Sequence, residues 1–94
     1  MKFKKGDICC YNTFLATFIF IFKKIDDYCV HCYIGHTNYD NTLFYNPVTS
    51  SMNLRNIRLA TEHEKKILFK ALEKQGKYWD EENLGLISEL WFGL

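Results

Sequence analysis

Apolar residues follow three different patterns along the chain, and each predicts a different kind of element. Phe14 to Phe22 (Phe-Leu-Ala-Thr-Phe-Ile-Phe-Ile-Phe) is dense in aromatic and β-branched side chains, which suit a pleated surface better than a helix. Apolar residues fall on both faces of this predicted strand, so both must be covered: one by the interior of a small barrel, the other by a helix or a partner subunit. Lys23 and Lys24 follow it as gatekeepers against edge pairing of an uncharged, proline-free window.

Shorter apolar runs bounded by turn residues predict further strands. Phe3 to Tyr11 reads as a charged lead-in, a Gly6-Asp7 turn and a first strand. Asp26-Asp27 predicts a turn, and Tyr28 to Ile34 a third strand ending at Gly35. His36 to Thr42 is polar and predicts a loop, Leu43-Phe44-Tyr45 a short strand ended by Asn46-Pro47, and Val48 to Asn53 a second polar loop. In Leu54 to Leu59, Leu54 is out of phase with Ile57 and Leu59, which fits a short strand or a single turn.

The pattern then changes to helical spacing. Thr61-Glu62-His63-Glu64 predicts a capping box, with Thr61 accepting from the amide of residue 64 and Glu64 returning to the amide of residue 61. Ile67, Leu68, Ala71 and Leu72 predict a buried stripe, with Lys65, Lys66, Lys70 and Lys74 on the other side and Gly76 as the stop. Beyond it, Tyr78 to Asn83 reads as a turn between short elements, and Leu84 to Phe92 as a terminal strand or a short helix. The expected architecture is one α+β domain over residues 1–94. It comprises a small antiparallel β-barrel of about five strands in 1–60, a capped helix in 61–75, and a terminal segment in 77–94 packing back on the barrel.

Composition changes this picture little. The chain has 94 residues, 48% hydrophobic and 24% charged, with a formal net charge of +1, a globular composition without the global field of a nucleic-acid binder. The charge is unevenly placed, however. Residues 1–24 hold Lys2, Lys4, Lys5, Lys23 and Lys24 against Asp7, whereas residues 80–94 hold Asp80, Glu81, Glu82 and Glu89 and no base. Ends of opposite sign are expected to be solvated or to attract one another in the fold.

The basic N-terminal stretch and its apolar continuation lack the small-residue cleavage site of a secretory signal, and the apolar run is shorter than the roughly 20 residues of a membrane span. The four cysteines are therefore expected to be free thiols in a reducing cytoplasm, with no membrane association.

Two stretches resemble known proteins. Phe3-Lys4-Lys5-Gly6-Asp7-Ile8, followed by several short strands, looks like small barrels of the Src-homology-3 type. Arg58-Leu59-Ala60-Thr61-Glu62-His63-Glu64-Lys65-Lys66, continued by Leu68-Phe69, Ala71-Leu72, Gly76 and Tyr78-Trp79-Asp80, is similar to the C-terminal part of uncharacterised small proteins carried by gut Bacteroidales and their phages. His63 stands where that pattern has an acid, and Leu84 to Leu94 depart from its charged continuation. The resemblance implies a fold segment and brings no activity.

Candidate chemistry is sparse. Cys29, Cys32 and His36 are of metal-ligand type, with Cys9-Cys10 as further thiolates. On one strand, however, the odd separation of Cys29 and Cys32 puts them on opposite faces, so buried thiols without metal are expected. Cys32 with His31 or His36 offers a nucleophile and a base as residue types only. No phosphate loop, nucleophile elbow or His-Glu-x-x-His pattern occurs, and neither a cofactor nor a small-molecule substrate is expected. Lys2, Lys4, Lys5, Tyr11, Lys23, Lys24, Arg55 and Arg58 could form a nucleic-acid surface of lysines and stacking rings. Trp79, Trp91 and Phe92, with the two-faced strand, suggest a protein-binding surface or self-association. The sequence therefore points to a non-catalytic module that recognises a protein or a copy of itself, with a nucleic-acid-binding accessory protein of a phage or mobile element as the alternative.

Overall fold

A computed structural model describes residues 3–88. β1 (Ile8–Asn12) and β2 (Thr17–Ile25) form an antiparallel hairpin in which Ile8 faces Ile21 and Asn12 faces Thr17. The strand expected over Phe14 to Phe22 is thus shifted, because Phe14, Leu15 and Ala16 make the hairpin turn. Thr13 explains the shift: its hydroxyl accepts from the amides of Leu15 (3.1 Å) and Ala16 (2.9 Å) and donates to the Ala16 carbonyl. A side chain that satisfies the turn's own amides competes directly with strand extension.

β3 (Cys29–Thr37) pairs along β2 with two irregularities, one extra residue on β3 between Cys32 and Gly35 and one on β2 between Phe22 and Lys24. Such bulges bend the sheet and reset which face the next residues meet. Val30 and Cys32 accordingly pack on one face, and Ile34 on the other.

β3 also runs past Gly35, which was expected to end it. A Cβ there would come within 2.8 Å of the Phe20 Cβ and into the Phe44 ring, so this glycine serves close packing and not termination. His36 and Thr37, expected in a loop, are therefore buried strand residues.

The outer edge of β3 is shared. β4 (Thr42–Phe44) pairs with its end and β5 (Thr49–Ser50) with its start, while between them Asn46 Oδ1 accepts from the Cys32 amide at 2.8 Å. Residues 54–59 take both conformations considered for them: a 3-10 helix, Ser51–Asn56, followed by β6 (Ile57–Leu59), which pairs with β1. The sheet order is β4-β3-β2-β1-β6, with β5 also on β3. No pairing joins β6 to β4 among the described residues, so the sheet stays open where a closed barrel was expected.

α1 (Glu62–Lys74) carries the expected capping box, which contributes about 1 kcal/mol. It lies on the face built from Ile8, Cys10, Ile19, Ile21 and Ile34, into which it inserts Leu68 and Leu72. Gly76, at φ 67°, turns the chain into β7 (Lys77–Asp80), paired with β8 (Gly85–Ser88). This hairpin sets Trp79 and Leu86 against the same core. Residues 85–88 are thus strand, and the expectation for 89–92 lies outside the described residues. The opposite face, Cys9, Phe20, Phe22, Val30, Cys32 and Ile57, is covered by Phe3, Val48 and Leu54. No described helix is long and apolar enough to cross a membrane.

Candidate functional site

The most site-like surface runs from the tip of the β1–β2 hairpin along the seam between α1 and the sheet. Phe14 and Leu15 sit at its head with exposures of 101% and 76%. The Thr13 hydrogen bonds fix the turn beneath them, so their projection into solvent is built in. The hairpin base continues into a hollow of about 220 Å³ bordered by Thr17, Asn38, His63 and Ile67. Asn38 closes this end, accepting from the Thr17 amide at 2.8 Å and donating its own amide to the Thr17 carbonyl.

A second hollow of about 330 Å³ adjoins it, between α1 and the β3–β4 hairpin, where Asn41, Leu43, Lys70 and Lys74 come together. His36 and Ile67 border both hollows. His36 is only 9% exposed, and burial lowers its pKa, which favours the neutral ring.

The N-terminus of α1 is tied down beside this seam. Glu64 accepts from the Thr61 amide (2.8 Å), from both terminal nitrogens of Arg58 (2.8 and 2.7 Å) and from the Cys10 thiol (3.4 Å). The Arg58 hydrogen bond is the chief cause that brings Glu64 down to about 2. Arg58 also donates to the Leu59 carbonyl on the edge of β6. One carboxylate therefore joins helix, edge strand and central hairpin, an arrangement that is structural.

The residues singled out from the sequence are dispersed. Cys32 lies on the face away from α1, and strand alternation from Val30 puts Cys29 on the other; His36 is at the far end of β3, against α1. No three of His, Cys, Asp and Glu could hold a common ion among the described residues. Burial pushes the Cys32 thiol up to about 12, and His31 is held by Asp26 at 2.8 Å. Neither histidine is therefore arranged as a base for that thiol.

The basic set is likewise divided. Lys4 and Lys5 border a cleft with Lys65, but Asp7 and Glu81 line it too, so charges from the two ends of the chain meet there. Lys23 sits 5.5 Å over the Tyr33 ring, Tyr11 stacks on Phe18 at 6.0 Å, and Arg58 is bound to Glu64. Lys24 and Arg55 are exposed, and Lys2 lies outside the described residues.

Of the expected partner surface, Trp79 is half-buried against Tyr33 at 5.0 Å, while Trp91 and Phe92 lie outside the described residues. Both faces of β2 are covered by the chain's own α1 and 3-10 segment, so the two-faced strand does not itself call for a partner.

Sequence reasoning missed Phe14 and Leu15, taken as strand core, and Ile67, assigned to the buried stripe but 37% exposed. Asn12-Thr13 ahead of Phe14 was the available turn signal. Compared with protein families, with curated proteins and with solved structures, the chain has no match in any of the three.

Proposed function

We propose that this chain is a non-catalytic recognition module that engages a protein partner through the β1–β2 hairpin tip and the adjoining α1 seam. The observation that carries the reading is the Phe14-Leu15 pair, held out in water on a turn locked by Thr13. Large apolar side chains on a preorganised support lose little conformational freedom when they enter a partner's pocket, so they act as anchors. Tyr39, 71% exposed in the turn after β3, extends the apolar area at the same end of the sheet. The dispersal of the thiols and histidines supports a binding role over a catalytic one.

The test is site-specific photocrosslinking in the producing cells, with a benzophenone side chain in place of Phe14. A discrete protein adduct is expected, lost on Leu15→Asp and not formed from the exposed position Glu73. Its mass separates a second copy of the chain from another protein, and either satisfies the reading. Adducts only to lipid or nucleic acid, or none above the Glu73 control, would overturn it.

A further inference from the structure

His36 is nine-tenths buried at the junction of the two hollows, and its ring nitrogens have no hydrogen-bond partner among the described residues. Neither nitrogen is a fully buried unpartnered atom, so the ring keeps a polar edge open to the hollows, where a ligand can accept from it. Lys70 and Lys74 stand on the same side of α1 above the larger hollow, and neither makes an ion pair among the described residues. Among the described residues no acid borders that hollow. Asp40, whose field reaches His36, is held by the Thr42 hydroxyl at 2.6 Å. The last turn of α1 opposes an anion with a partial negative charge, about half an elementary charge, which two lysines outweigh. Leu43, Ile67 and Ala71 provide an apolar wall beside the cationic end.

On the reading of a protein-recognising surface, we propose that the hollow between α1 and the β3–β4 hairpin takes a carboxylate from an extended stretch of the partner in which acidic and apolar residues alternate. The carboxylate sits between Lys70 and Lys74 with a His36 ring N–H donating to it, and its apolar neighbour lies on Ile67 and Leu43. Charge complementarity selects an acid, because neither lysine has a counter-ion among the described residues. The apolar wall, and continuity through Ile67 with the seam that begins at Phe14, select a polypeptide over a free anion.

The experiment titrates the full chain, isotope-labelled for nuclear magnetic resonance, with three probes: acetyl-Leu-Glu-Leu-amide, its Gln counterpart, and inorganic phosphate. The Glu peptide is expected to shift the His36 ring signals and the Ala71 and Lys74 amides saturably, with the Gln peptide about tenfold weaker. Lys70→Gln with Lys74→Gln, two exposed changes that keep the helix, should remove the difference between the peptides. Equal shifts from both peptides, a response centred on Lys4 and Lys5, or phosphate matching the Glu peptide would each overturn the assignment. A protein adduct from position 14 without a peptide response leaves the recognition reading standing and this inference refuted. A peptide response without an adduct refutes the contact at the hairpin tip and leaves recognition through this hollow standing.

Discussion

The two faces of the central sheet are both apolar, yet they are closed in opposite ways. On one, aliphatic side chains (Ile8, Ile19, Ile21, Ile34) meet a 13-residue helix that sinks Leu68 and Leu72 to 0% and 1% exposure. On the other, the cover is thin: Phe3, Val48 and Leu54, the last from a six-residue 3-10 helix with no buried residue, so aromatic rings supply much of the bulk. There Phe22 packs on Phe3 at 5.7 Å, and Phe18 on Tyr11 and Phe44 at 6.0 and 5.8 Å. Ring volume on the sheet thus substitutes for a missing helix, while branched aliphatics leave room for one. The helix side also leaves a seam bordered by His36, Lys70 and Lys74, so the candidate site lies there.

The largest effect that probes this contrast is a pair of truncations. Leu68→Ala should cost about 2–5 kcal/mol, whereas Leu54→Ala, in the thin cover, should cost roughly 1–2 kcal/mol by denaturant unfolding. Equal losses would mean that the two covers matter alike.

Glu64→Gln should follow, at about 1–2 kcal/mol near neutral pH, since it weakens the Arg58 pair and half of the capping box. Glu64 has a folded pKa of about 2, below its ordinary 4.5. Its carboxylate therefore stabilises the fold above about pH 4.5, and that contribution fades as pH falls towards 2. Melting temperatures of the two proteins should converge over that window; a gap that persists at pH 2 would show that Glu64 acts otherwise.

The smallest effect concerns the thiols. Burial pushes Cys9 and Cys32 up to about 12 and Cys10 up to about 11, whereas Cys29 is half-exposed. Alkylation of the native chain followed by mass spectrometry should modify Cys29 first. In mild denaturant, Cys9 and Cys32, under the thin cover, should react before Cys10, under the helix. The reverse order would break the comparison.

Much of the local structure could be read from the residues. The capping box was legible because its two hydrogen bonds, between Thr61 and Glu64 in both directions, join residues three apart, whereas the Cys10 contact of Glu64 was not. Gly76 as a stop was equally local. Gly35 misled because the same residue type that ends a strand also permits close packing, and only Phe20 and Phe44, brought in from β2 and β4, reveal which applies. His36 was misplaced with it, and the site it borders stayed hidden.

By itself the sequence determined which segments pair or coil, and that β2 would be covered on both sides, because side-chain periodicity and hydrogen bonds between near neighbours suffice for that. Tertiary structure alone decided that the sheet stays open, that the bulges put Cys32 and Ile34 on different faces, and that Lys70, Lys74 and His36 share one hollow. Those outcomes depend on contacts between residues far apart in the chain, where the fit of whole surfaces outweighs any local preference.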